Sequence, residues 1–187
     1  QYMFYSCRSL AGPVGMDAAV DGVAPAIRFP SSMPKLTYIG YAFQYCLELT
    51  AVSLHDLGTN KSIKCNYAFS ACVGIKKVQL KNFYTTGGAE VADSMFINCT
   101  GITEVYLDTA FNADNIKVVQ LFDGCTSLTK LVAINSFNGS YTSYATGYLS
   151  NAFLNCKLTD VTLTDCLKAT NSNANGMFYN AFNNSAA

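Results

Sequence analysis

A single histidine, His55, and only 13% charged residues leave this 187-residue chain little of the equipment of catalysis. A hydrolytic site needs a nucleophile, a base and an orienting group that converge. His55 followed by Asp56 is the one obvious base candidate, and it reads as a surface turn at a strand end. Gly87-Gly88 lacks the lysine that a phosphate-cradling loop requires, and the carboxylates are scattered rather than clustered at metal-loop spacing. No two cysteines have C-x-x-C spacing, which with a lone histidine argues against a zinc or redox centre. Lys plus Arg and Asp plus Glu each number 12, so the basic surplus of a nucleic-acid binder is missing. No stretch approaches the ~20 apolar residues of a membrane span. The opening QYMFYSCRSL has no basic segment before an apolar run and does not read as a signal peptide. These absences predict a non-enzymatic chain with no cofactor, no metal, no nucleic-acid partner and no membrane span in this segment.

What is present is a repeat. A phenylalanine, a cysteine three residues later and a short apolar run recur about every 26–30 residues. The copies are AFQYCLELTAVSL (Ala42–Leu54), AFSACVGIKKVQL (Ala68–Leu80), MFINCTGITEVYL (Met95–Leu107), LFDGCTSLTKLVAI (Leu121–Ile134) and AFLNCKLTDVTL (Ala152–Leu163). Partial copies flank them, MFYSCRSL (Met3–Leu10) and AFNNS (Ala181–Ser185), with Ser185 where the cysteine belongs. A period of this size marks a solenoid, whose coils bury their apolar faces only against one another. The expected domain is one solenoid over 1–187, with about five full repeats and partial repeats at both ends. Because both ends fall inside a repeat, the sequence predicts either a segment of a longer chain or ends met by other chains.

Leu49, Val52 and Leu54, Ile75, Val78 and Leu80, and their counterparts in later copies end on the alternation of a half-buried strand. Stacking predicts a right-handed coil with a parallel sheet on one face and short helical turns or loops on the other. Phe43, Phe69, Phe96, Phe122, Phe153 and Phe182 are expected to point inward as a stack. Apolar residues four positions before each Phe (Ile39, Cys65, Ala92, Val118, Leu149, Phe178) suggest a second, weaker strand. Extra residues between Leu10 and the strand Ala26–Phe29 predict a loop or short extra element bulging out.

The segment Ile27–Cys46, IRFPSSMPKLTYIGYAFQYC, resembles the BspA-like class of bacterial leucine-rich repeats. The match is carried by Pro30 and Ser32, Thr37-Tyr38-Ile39-Gly40, Ala42-Phe43 and Cys46. Later copies keep the Phe–Cys–strand half and lose the Pro and Ile-Gly half. The resemblance implies an extracellular or cell-surface protein that binds host matrix proteins or other cells, and it brings no shared catalytic residues.

Eight cysteines first suggest disulfides. Cys46, Cys72, Cys99, Cys125 and Cys156, with Cys7 before them, instead hold one position in successive coils, as a column of small buried thiols would. Cys65 reads as an apolar filler, and Cys166 is the least constrained. The outward strand positions form three columns: Ala26, Ala51, Lys77, Glu104, Lys130, Asp160; then Arg28, Ser53, Gln79, Tyr106, Val132, Thr162; then Pro30, His55, Lys81, Asp108, Ile134, Thr164. The alternating charges of the first column predict a ladder of ion pairs, either a recognition face or a solvated sheet that satisfies itself. Candidate binding residues are Tyr106 and the tyrosines of a Ser-, Gly- and Asn-containing loop, Tyr141, Tyr144 and Tyr148. The asparagines of four Asn-x-Ser/Thr sequences, Asn60, Asn98, Asn138 and Asn183, read as chance occurrences. The leading expectation is a surface module for protein or cell adhesion. The rivals are a subunit stacking head to tail into a fibre and the targeting domain of a larger secreted enzyme.

Overall fold

The computed structural model describes residues 3–15, 22–29, 36–56, 63–83, 92–114, 116–139, 149–168 and 176–182. Within them the apolar runs form strands β1 (Gly12–Gly15), β2 (Ile27–Arg28), β3 (Leu49–His55), β4 (Lys77–Lys81), β5 (Glu104–Asp108), β6 (Lys130–Ile134) and β7 (Asp160–Thr164). All pair in parallel in one sheet of order β2-β1-β3-β4-β5-β6-β7. From β3 to β7 the register is unbroken: Val52, Val78, Val105, Leu131 and Val161 lie in one inward row, and Leu54, Leu80, Leu107, Ala133 and Leu163 in the next. The inward members on β4 to β6 are fully buried. The molecule is a parallel β-solenoid.

Beside the sheet the phenylalanines stack at the pitch of the coil. Phe43 and Phe69 have centroids 5.0 Å apart, Phe69 and Phe96 5.3 Å, Phe96 and Phe122 5.1 Å, and Phe122 and Phe153 5.4 Å, each pair within 16° of parallel. Phe4 extends the file at one end, 5.2 Å from Phe43. Burial of each ring is worth roughly 1.5–3 kcal/mol and each aromatic pair ~0.5–1.5 kcal/mol more.

At the other end the expected register of the last copy is corrected. Phe178, not Phe182, stacks on Phe153 at 5.3 Å, and Phe182 is 53% exposed. MFYNA (177–181) therefore aligns with MFINC (95–99), with Ala181 in the cysteine's place. The backbone agrees: Phe153 N–H donates to Met177 C=O just as Phe69 N–H donates to Met95 C=O.

No helix forms among the described residues; the segments opposite the sheet are turns, for a definite reason. Around Phe43 the N–H groups of Tyr41, Phe43 and Tyr45 donate sideways to Asn66, Ala68 and Ser70 of the next coil. The alternate N–H groups, of Ala42, Gln44 and Cys46, close local bonds to the carbonyls three residues back. An α-helix would need every N–H for its own segment. From Phe43 to Phe178 the residues two before and two after each Phe of this file take left-handed backbone, as at Tyr67 (φ 55°) and Ala71 (φ 56°). The pattern repeats at Ser94 and Asn98, Gln120 and Gly124, Asn151 and Asn155, and Gly176 and Asn180.

Among the described residues the expected second strand is reduced to isolated bridges, the parallel pair Tyr38 with Lys64 and a bridge position at Ile116, although Ile39, Cys65, Ala92, Val118 and Leu149 are buried. The extra residues after Leu10 do not simply bulge outward. Gly12–Gly15 takes the strand position beside β3, and Ile27–Arg28 becomes the outer strand. Gly15, not Arg28, therefore pairs with Ser53. The ladder is irregular between Gly12 and Val14, where Pro13 has no N–H to contribute. A second aromatic file, Phe83–Phe111–Phe137, lies just past the strands at 5.8 and 5.5 Å, with all three rings buried.

Candidate functional site: the outer face of the sheet

Strand alternation turns Ser53, Gln79, Tyr106 and Val132 to the outer face in one row, and His55, Lys81, Asp108 and Ile134 in the next. Together they line a shallow groove of about 340 Å³ across β3 to β6. Its surface is mixed. Val132, Ile134 and the Tyr106 ring are apolar, Ser53 and Gln79 offer neutral hydrogen-bonding groups, and Lys81 and Asp108 pair at 3.6 Å on one side.

Tyr106 is built into the charged column. Its hydroxyl donates to Glu104 Oε2 at 2.7 Å, along the same face of β5. The ammonium groups of Lys77 and Lys130, on the strands to either side, lie 5.2 and 5.7 Å from its ring centroid. Cations at this range are attracted to the ring face, by ~0.5–1 kcal/mol each at an exposed site. Lys130 also pairs with Asp160 at 3.8 Å. Tyr106, ahead of Asp160 and Glu104, holds the Lys130 ammonium above its ordinary pKa. The half-buried ring is thus fixed in place without being covered, so an incoming surface need not order it.

His55 stands at the groove's end. Its Nδ1 lies 2.9 Å from Asp56 Oδ2, and Asn82 Nδ2 donates to Asp56 Oδ1 at 2.9 Å. The Asn82 bond, followed by the His55 bond, lowers the Asp56 pKa from the usual carboxylate value. Asp56 has left-handed backbone (φ 55°), as do Asn82, Thr109, Asn135 and Asp165 at the same corner of later coils. The pair therefore belongs to a turn repeated along the stack.

The cysteine column is internal and away from this face. Each Sγ–H donates to the phenylalanine carbonyl of the preceding coil: Cys46 to Phe4 (3.0 Å), Cys72 to Phe43 (3.0 Å), Cys99 to Phe69 (2.9 Å), Cys125 to Phe96 (3.3 Å) and Cys156 to Phe122 (3.3 Å). All eight thiols are free. Burial pushes Cys46 up to about 11 and Cys72 and Cys156 to about 12, and raises Cys65, Cys99 and Cys125 as well. These thiols are packing groups with little thiolate character.

Of the candidate binding residues, Tyr106 lies in the groove, while Tyr141, Tyr144 and Tyr148 lie outside the described residues. Asn138, in one Asn-x-Ser sequence, donates to Asn135 and to the Asp165 carbonyl and accepts from Lys168 N–H, so its amide serves the turn. In the sequence His55, Lys81, Asp108 and Ile134 form a column, and nothing in it marks a groove. Alternation gives a residue's face, not the relief that neighbouring side chains create.

A parallel sheet one strand per coil, closed by stacked turns around files of Phe and Cys, defines a leucine-rich-repeat type of solenoid. The sequence profile of the BspA type Leucine rich repeat region matches residues 37–185 in six copies. The chain belongs to this family. Proteins of this kind commonly engage in protein interaction and are commonly surface-associated. Comparisons with curated proteins and with solved structures gave no match. No helix among the described residues is long and apolar enough to cross a membrane.

Proposed function

We propose that the chain is one solenoid unit over 1–187, a non-catalytic module that holds a protein partner on the outer face of its sheet. The partner is a matrix or cell-surface protein, and the module works outside the cell, in adhesion. The observation that carries this reading is the groove across β3 to β6 with Tyr106 held over it between Lys77 and Lys130. A tyrosine fixed by a hydroxyl bond and two flanking cations offers contact area at little entropic cost, and such aromatic anchors dominate interface energetics. Family membership supports protein rather than small-molecule recognition. The groove is open and shallow, suited to a side chain or a short extended segment of a larger surface.

The test is binding of the purified chain to a panel of purified extracellular matrix proteins and to intact cells, alongside Tyr106→Ala and Val132→Asp. The expected outcome is a partner whose affinity falls by roughly thirtyfold or more in both variants, as for central interface residues, with unchanged melting. A partner bound equally well by both variants would place recognition elsewhere.

A further inference from the structure

The charged groups at the groove are matched to one another. Lys81 pairs with Asp108 at 3.6 Å, and His55 Nδ1 lies 2.9 Å from Asp56 Oδ2. The neighbouring column is closed in the same way, with Lys130 against Asp160 at 3.8 Å and Glu104 accepting from the Tyr106 hydroxyl at 2.7 Å. Charges satisfied within one face leave little potential to attract an ionic partner. Lys77 and Lys130 stand over the Tyr106 ring from the strands to either side. Its π face is therefore already engaged, and a flat sugar or aromatic ring gains little by stacking there.

Two parts of the groove are left unmatched. Gln79 on β4 is half-buried, and among the described residues its carboxamide has no hydrogen-bond partner. Ile134 on β6 is 44% exposed, and half-buried Val132 lies two residues before it on the same face. A carboxamide both donates and accepts, which complements the C=O and N–H of a peptide group. The branched side chains of Val132 and Ile134 complement an aliphatic group. Gln79 and Val132 share one row, two strand steps apart, which is about 10 Å at ~4.8 Å per step. An extended chain covers that distance in about three residues.

We propose that the groove takes an extended, uncharged stretch of the partner protein, with one peptide group held by the Gln79 carboxamide and an aliphatic side chain seated on Val132 and Ile134. This rests on the docking of a protein partner on the outer face of the sheet. It adds the chemistry of the segment that is read there, and it makes Gln79 a binding residue. Because the contacts are neutral, the interaction is indifferent to salt.

The test is a nuclear magnetic resonance titration of the 187-residue chain with capped seven-residue peptides of glycine and serine. The central position carries leucine, aspartate, lysine or glycine. The leucine peptide should shift the backbone amides of Gln79, Tyr106, Val132 and Ile134 and bind roughly tenfold or more tightly than the other three, as for one buried aliphatic side chain. Its affinity should change less than about twofold between roughly 50 and 500 mM sodium chloride, a range in which exposed ionic contacts are progressively screened. Gln79→Met keeps the length of the side chain and removes its hydrogen-bonding groups. It should weaken the leucine peptide by about three- to tenfold, as for a lost neutral hydrogen bond, with the spectrum away from the groove unchanged. Tighter, salt-dependent binding of the aspartate or lysine peptide would overturn this inference. So would a leucine peptide indifferent to Gln79→Met, or no shift at these amides with any peptide. Docking itself is judged separately: a matrix protein that loses affinity for both Tyr106→Ala and Val132→Asp upholds it whichever peptide binds best.

Discussion

The thiol of Cys99 donates to the carbonyl oxygen of Phe69, one coil earlier, at 2.9 Å. The same bond joins each cysteine of the column to the preceding coil's phenylalanine. The Phe–Cys spacing is therefore an inter-coil device: the ring fills the interior of one layer while its backbone receives the thiol of the next. A disulfide would remove that donor.

Cys99→Ala should lower stability by about 1–2 kcal/mol, from the lost bond and the small void it leaves. Urea unfolding followed by circular dichroism measures it. No loss would show that the thiol only occupies space.

Phe96→Ala removes a ring held between Phe69 and Phe122 and should cost roughly 3–5 kcal/mol. Phe182→Ala, at an exposed ring, should change stability by less than about 0.5 kcal/mol in dilute protein. The paired melts separate a file that ends at Phe178 from one that continues to Phe182.

Thiol accessibility follows the burial pattern. At pH 8 a charged thiol reagent should modify exposed Cys7 quickly, half-buried Cys166 slowly, and the buried cysteines only after unfolding. Mass spectrometry after timed labelling reports this. Rapid modification of Cys99 or Cys125 in the native protein would contradict the internal column.

Asp56 supplies a pH-dependent contribution whose sign follows from its lowered pKa. A carboxylate depressed in the folded state stabilises above its unfolded pKa of about 3.9 and loses that contribution as pH falls through the folded value. Asn82→Ala removes the larger cause of the depression. The stability gap between wild type and Asn82→Ala should be widest above about pH 4 and narrow in more acid solution.

Much of the fold is legible in the sequence because strand alternation and ring spacing repeat with little variation. Val78, Val105 and Val161 announce inward positions, and the columns built on Lys77, Gln79 and Lys81 follow by counting. Three features escape for physical reasons. MFYNAF contains two phenylalanines four apart, and alanine at 181 removes the cysteine that would show which one belongs to the file. The Phe83–Phe111–Phe137 file is masked because Phe83 follows Leu80 by three residues and Phe111 follows Leu107 by four. The stacked turns look helical because their left-handed positions are filled by Tyr, Gln, Ser, Ala and Asn as well as glycine. There inter-coil bonds, invisible to local propensity, fix the backbone. Gly101 is a further case: a methyl group there would overlap the Val73 carbonyl oxygen of the coil before it.

The central claim, that successive copies lie on one another as neighbouring strands with β2 outermost, is open to a distance measurement. Arg28 and Thr162 share an outward row separated by six strand steps, about 29 Å at ~4.8 Å per step. Nitroxides at Arg28→Cys and Thr162→Cys, in a Cys7→Ser and Cys166→Ser background, can be diluted into unlabelled protein and measured by pulsed electron resonance. A narrow distribution centred near that separation is the predicted result. A broad distribution, or one centred well below it, would contradict the stacked coil.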